Sequence, residues 1–191
     1  MSGKGKDFRP ITDTWFLAPS KVGYYGAYPN GFLQRARVLL CRITEPMLHV
    51  CSGMVHRYPG YGYGPFDKRM DLDLECDPDY LQDARDPYPE PDEYPMENKW
   101  PAILQDPPYT KEDATHYNVG ADVLPTCKEL LTRAWEVLRP GGRVGILHQL
   151  HPAGPSKDAR LAACITVIQG QNQRARIFTV YEKEFSYERR I

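Results

Sequence analysis

With 191 residues, 41% hydrophobic and 26% charged, the chain has the composition of one soluble globular domain able to bury its own core. No apolar run reaches the length of a membrane span, and Met1 to Arg9 are polar and basic, unlike the apolar core of a leader peptide. A net charge of −1 argues against a dedicated nucleic-acid binder, and five cysteines without CxxC spacing argue against a disulfide framework or a metal site and fit a reducing cytoplasm.

The chain reads as a flexible arm over residues 1–20 followed by a single domain over 21–191. Tyr24 to Gly31 is a turn-rich aromatic loop. Asn30 is placed to cap a helix from about Gly31 to Leu40, with Phe32, Ala36, Leu39 and Leu40 on its buried side. Met47 to Cys51 is a short buried strand closed by Ser52-Gly53. The prolines and glycines between Tyr58 and Phe66 make that stretch a loop, and its Tyr58, Tyr61, Tyr63 and Phe66 suit either stacking on bases or covering their own core. Arg69 to Leu74 alternates and predicts a strand. Tyr80 to Ala84 fits a brief strand or a turn, and Pro87 to Pro95 an acidic surface connection.

Ala102 to Gln105 is the next strand. Thr110 to Leu124 is polar and reads as mobile. Pro125 suits the first turn of a helix running to about Leu138, with Leu130, Leu131, Ala134, Val137 and Leu138 as its apolar face. Arg139-Pro140-Gly141-Gly142 stops it, and Arg143 to Leu147 is a strand. Ala162 to Gln169 and Ala175 to Glu182 form a final strand pair joined by Gly170 to Gln173. Alternating strands and helices predict an α/β sheet with its ligands at the carboxyl ends of the strands. Two basic groups, Lys4, Lys6, Arg9 and Lys21 at one end and Arg174, Arg176, Arg189 and Arg190 at the other, read as solvated surface.

The most informative stretch is Asp106-Pro107-Pro108-Tyr109, at the end of a predicted strand. Each proline fixes φ and lacks an N–H, so nearby carbonyls lose local partners and can face a ligand. A carboxylate and a backbone carbonyl can each accept a hydrogen bond from an exocyclic NH₂. A tyrosine ring can stack on the heterocycle that carries it.

This corner resembles the DPPY motif of the S-adenosylmethionine-dependent amino-methyltransferases, which methylate adenine N6 or cytosine N4. The resemblance extends over about residues 20–183, in the order of a class I methyltransferase. Leu-Arg-Pro-Gly-Gly at Leu138 to Gly142, leading into an apolar strand, is its second strongest signal. It implies a Rossmann-like α/β sheet, mostly parallel with a C-terminal antiparallel strand pair and helices on both faces. It implies S-adenosyl-L-methionine as cofactor, held by Cys51, Ser52, Gly53 and Met54 in the first glycine loop. Asp73 would bind the ribose hydroxyls, Asp83 and Ala84 the adenine ring, and Lys21 the methionine carboxylate. Asp106, Pro107, Pro108 and Tyr109 would be the catalytic corner, with DNA as partner; RNA, a protein amide or a small molecule are alternative substrates. His148 and His151 follow the strand after the Pro-Gly-Gly turn and would line the target pocket if they are not simply packed or solvated. The sequence departs from the family's loop, acid-x-Phe-x-Gly-x-Gly. His49 stands at the acid, Cys51 at Phe and Val55 at the second glycine, so a non-catalytic copy serving as a binding module is a further expectation.

Overall fold

Strand β2, Met47–Val50, lies inside an eight-stranded sheet and is buried at every position, which is why four apolar or uncharged residues in a row suffice to specify it. In the computed structural model the described residues are 8–20, 26–57, 62–91, 99–116, 124–171 and 173–185. Lys21, Tyr58, Tyr61, Arg189 and Arg190 lie outside them. The remaining strands are β1 (Ile11–Phe16), β3 (Lys68–Asp71), β4 (Tyr80–Leu81), β5 (Trp100–Gln105), β6 (Leu138–His148), β7 (Ala159–Ile168) and β8 (Arg176–Lys183). Their order across the sheet is β1-β7-β8-β6-β5-β2-β3-β4. All pairings are parallel except those of β8 with β6 and with β7. The antiparallel C-terminal pair therefore stands as expected.

Among the described residues three α-helices accompany the sheet: α1 (Phe32–Leu40), α2 (Lys111–His116) and α3 (Cys127–Val137). Two apolar clusters show how the sheet is covered. One joins Phe32, Leu33, Ala36 and Leu40 of α1 to Met47, Ala102, Leu104, Leu147 and Phe178. The other joins Leu130, Leu131, Ala134 and Trp135 of α3 to Leu48, Val50, Ile103, Val144 and Ile146. Adjacent strand residues fall in opposite clusters, as a period of two requires, so α1 and α3 cover opposite faces.

Several expectations are corrected in detail. Residues 11–16 are not a loose arm but an edge strand paired with β7, because Ile11, Thr12 and Thr14 are β-formers and Trp15 reaches the core. Asn30 does not cap α1. Gly31 takes that position at φ 83, where no side-chain cap bond is made. Leu39 is only partly buried, while Leu33 and Arg37 join the buried side. The strand expected over 69–74 stops at Asp71, and Leu74–Cys76 form a 3-10 turn. Within the stretch read as mobile, residues 111–116 are the helix α2, opened by reciprocal bonds between Thr110 and Asp113. Pro125 precedes α3 instead of lying in its first turn. Thr126 is the cap, and with Glu129 it closes a capping box. α3 ends at Val137, and Arg139-Pro140-Gly141-Gly142 lie inside β6 instead of forming a turn ahead of it. Gly141 has φ +73, and a Cβ on Gly142 would meet the Arg139 carbonyl oxygen at 2.9 Å. Only glycine fits both positions.

The chain steps outward from β2 to β3 and β4, then returns to the other side of β2 as β5. Strand order thus reverses between β2 and β5. The carboxyl ends of these parallel strands meet at that switch point, the place where open α/β sheets bind ligands.

Candidate active site

The reversal brings two loops together. Asp106 N, just past β5, donates to the Val50 carbonyl at 3.2 Å, so the corner from Asp106 to Tyr109 is tied to the strand that leads into the Cys51 to Met54 loop. That loop turns sharply. Cys51 at φ 53 and Gly53 at φ 49 are both left-handed, a conformation that a non-glycine residue adopts only under constraint. Ser52 N donates to the Met70 carbonyl at 3.3 Å and Gly53 N to Asp71 Oδ2 at 2.8 Å.

Acids converge on this loop. Burial, then the nearby Asp71, Asp106 and Asp83, hold the Cys51 thiol well above its ordinary value, so it is a neutral packed group and not a thiolate nucleophile. Asp71 ends β3 and is itself raised by burial, although Asp73 and Gly53 donate backbone N–H groups to it. Asp73 sits two residues on, and its carboxylate is engaged locally, accepting from Glu75 N at 2.9 Å to cap the 3-10 turn. Asp71, not Asp73, is the acid in contact with the glycine loop. Asp83 is held in a bidentate pair by Arg85, which lowers its carboxyl through the side-chain bonds. Ala84 is buried in the α3-side cluster.

The corner itself is compact. Pro107 is buried; Asp106, Pro108 and Tyr109 are half-buried. Tyr109 Oη donates to Asp106 Oδ1 at 2.5 Å. Burial pushes the Asp106 carboxyl up to about 6, against the opposing pull of Arg176 and the Tyr109 bond. The Tyr109 phenol is driven well above its ordinary value by burial and by the Asp106 charge. The ring of His148, at the end of β6, meets Tyr109 edge-on with centroids 5.3 Å apart, and burial lowers the His148 imidazole. His148 Nδ1 accepts from Leu150 N at 3.0 Å. His148 therefore joins the site, whereas His151 lies farther along and bonds Thr179 Oγ1 at 3.0 Å.

Arg176 is the residue that sequence reasoning missed. The sequence reads it as solvated, yet at the start of β8 its side chain bonds Gln169 Oε1 at 3.1 Å and its charge acts on Asp106 and Tyr109. No local pattern marks it, because the antiparallel return of β8 brings it there.

The two irregular loop positions have structural accounts. Val55 is fully buried in the α1-side cluster within a 3-10 turn, so a side chain is accommodated where the family has glycine. His49 is fully buried and donates from Nε2 to Asp67 Oδ2 at 2.9 Å. Asp67 also accepts from Arg37, from Met47 N at 3.0 Å and from Gly64 N at 2.8 Å. An acid from outside the motif thus supplies the buried charge behind β2.

Among the described residues no helix is long and apolar enough to cross a membrane, and no group of His, Cys, Asp or Glu is arranged to hold a metal ion.

No family model and no curated protein matches the chain by sequence. Solved structures do match its fold. TrmN from Thermus thermophilus superposes with a TM-score of 0.57 at 23% identity, over 83% of this chain and 50% of TrmN. A protein of Listeria monocytogenes assigned to the class I S-adenosylmethionine-dependent methyltransferases gives a TM-score of 0.50 at 12% identity, over 85% of this chain and 64% of that one. The N-methyltransferase NodS from Bradyrhizobium japonicum gives 0.50 at 10% identity, over 82% of this chain and 98% of NodS. The chain thus spans about half the length of TrmN and 64% of the Listeria protein. The fold is that of the class I methyltransferases.

Proposed function

We propose that this chain binds S-adenosyl-L-methionine and transfers its methyl group to an exocyclic amine of a nucleobase, adenine N6 in DNA. One observation carries the reading. Asp106, Pro107, Pro108 and Tyr109 stand at the carboxyl end of β5, tied by backbone to the end of β2, at the switch point of a class I methyltransferase sheet.

The residues present fit the cofactor. The left-handed Cys51 and Gly53 make a tight concave turn, and Val55 turns its side chain into the core instead of into that turn. Cys51, Ser52, Gly53 and Met54 would hold the amino-acid end. Asp71 is the better-placed acceptor for the ribose hydroxyls, with Asp73 beside it; Asp83 and Ala84 would flank the adenine. The sulfonium cofactor supplies an electrophilic methyl group when bound.

The chain's own residues do the rest. Asp106 accepts a hydrogen bond from one N–H of the target amine, and the Pro107 carbonyl accepts from the other. Both draw the nitrogen lone pair into line for attack. Positive charge develops on nitrogen as the new bond forms, and the Asp106 carboxylate stabilises it. A carboxylate near 6 is ionised at neutral pH yet close enough to take up the departing proton. In a duplex the base must leave the stack, at a cost of a few kcal/mol. Stacking on Tyr109 recovers part of this, at about 1–3 kcal/mol per base.

Nucleoside mass spectrometry of DNA and RNA from cells expressing the chain tests the proposal. N6-methyladenine in the DNA, absent with Asp106→Ala, is the expected result. Methylated RNA bases with unmodified DNA would move the substrate to RNA. No new methylation in either would overturn the nucleobase reading.

A further inference from the structure

His148 ends β6, which lies beside β5 on the side away from β2, so it stands one strand over from the Asp106 to Tyr109 corner. Its ring lies roughly perpendicular to that of Tyr109, with centroids 5.3 Å apart. The chain then folds back, and Leu150 N donates to His148 Nδ1 at 3.0 Å. A backbone N–H can only donate, so Nδ1 holds a lone pair and the proton of the neutral ring sits on Nε2. A second proton would break the Leu150 bond, and burial also lowers the imidazole. Among the described residues nothing bonds Nε2. His151 differs. Its Nδ1 meets the Thr179 hydroxyl, which donates or accepts equally well, so that contact fixes no tautomer.

We infer that His148 is a specificity-determining residue of the proposed methyl transfer, offering Nε2–H to a ring nitrogen beside the target amine. The inference deepens the nucleobase reading of this corner and rests on it. Asp106 and the Pro107 carbonyl both accept, and acceptors alone read any NH₂ group. A donor next to them adds a second requirement, an acceptor close beside the amine. Adenine meets it twice, with N1 on its Watson–Crick edge and N7 on its major-groove edge, and cytosine once, with N3. An alkyl amine has no such neighbour. Bound there, it would leave Nε2–H unpaired in a half-buried position, a cost that falls on the wrong substrate alone. A site built to hydrogen-bond a substrate atom rejects the analogue lacking it more sharply than an apolar pocket does.

Two measurements on the full chain test this. Nitrogen-15 NMR of histidine-labelled protein at neutral pH reads the tautomer without any substrate, and His148→Gln assigns the signal. The Nε2–H form is the expected result. Methyl transfer is then followed on single-stranded oligonucleotides carrying adenine, 1-deazaadenine or 7-deazaadenine. With wild type, one deaza analogue should react about tenfold or more slowly than adenine in kcat/KM, the loss of one paired acceptor. His148→Ala should close that gap, and the comparison between proteins removes any intrinsic difference among the amines. On adenine, His148→Ala should raise the KM for the oligonucleotide and leave the KM for S-adenosylmethionine unchanged. His148→Gln, whose amide nitrogen can stand in for Nε2, should recover most of the loss. A ring protonated on Nδ1 overturns the inference. So does a gap that persists in His148→Ala, or equal wild-type rates on all three oligonucleotides, a result that needs no variant to fold. In these cases methylation of adenine leaves the nucleobase reading standing. A chain that methylates none of the oligonucleotides removes both.

Discussion

The hydroxyl of Tyr109 donates to Asp106 Oδ1 at 2.5 Å, so the acid and the aromatic of the corner form one unit before any substrate arrives. Tyr109 is more than a stacking platform. Its ring lies roughly perpendicular to that of His148, and its hydroxyl bonds Asp106.

Two substitutions at Tyr109 should therefore separate. Tyr109→Phe keeps the ring and removes a donor that lowers the Asp106 carboxyl, so the acid limb of activity should shift above about 6 with modest loss at high pH. Tyr109→Ala also removes the stacking surface, and turnover should fall by a further factor matching about 1–3 kcal/mol. A pH series of kcat for both variants checks this. Equal profiles would show that the hydroxyl contributes nothing.

Asp106 carries a stability cost with a defined pH window. Its folded value, about 6, lies above its ordinary 3.8, so the folded chain holds that proton more tightly than the unfolded one. Stability from this group therefore falls as pH rises from about 4 to about 6, and the penalty is complete above that. Asp106→Asn should raise the urea midpoint at pH 7.5 relative to wild type, with the gain shrinking toward pH 4 in parallel melts. The same variant should lose about 10²–10³ in kcat, the usual effect of removing one preorganised electrostatic group.

The sequence made the corner legible because its chemistry is local: an acid, two prolines and a tyrosine at the end of an apolar strand. Pro140-Gly141-Gly142 marked the end of α3, but their place inside β6 was not legible, because pairing with β5 across a register shift sets it. What sequence could not show was charge assembled from distant strands. Arg176 arrives from β8 and reads as solvated surface in its own neighbourhood, while Asp67, in the loop before β3, carries no local signal at all. The choice between Asp71 and Asp73 also escaped alternation, because the strand ends at Asp71 and the next residues coil into a 3-10 turn. The N-terminal strand β1 was missed for a similar reason. It is exposed except at Trp15 and owes its order to β7.

That difference at the end of β3 has a measurable consequence. Asp71→Asn should weaken S-adenosylmethionine binding more than Asp73→Ala does, by about 1.5–3 kcal/mol for loss of hydrogen bonds to a charged group. Calorimetry on both variants decides the order. The reverse ranking would return the ribose role to Asp73.

Val55 gives a complementary test of the glycine loop. Its side chain fills the α1-side core, so Val55→Gly should destabilise the chain by about 1.5–3 kcal/mol of lost burial without tightening cofactor binding. Urea melts and calorimetry on one preparation provide both numbers. A marked gain in affinity would show that Val55 obstructs the site.

Behind β2, Arg37 and Asp67 form a buried ion pair, with side chains 4% and 0% exposed. Arg37→Met leaves Asp67 with His49 and two backbone donors but no permanent cation. It should cost about 3–5 kcal/mol, as breaking a buried pair from one side usually does. Equilibrium denaturation checks the magnitude. A loss within about 0.5 kcal/mol, the usual range for surface substitutions, would show that the pair is a passive contact.

The most direct measurement is transfer of a labelled methyl group from S-adenosylmethionine to unmodified DNA by the purified chain, with Asp106→Ala alongside. The account predicts label in N6-methyladenine with wild type, and a rate at least about 10²-fold lower with the variant, which should still bind the cofactor. Label appearing equally with both proteins, or a wild-type chain that binds no cofactor at millimolar concentration, would contradict it.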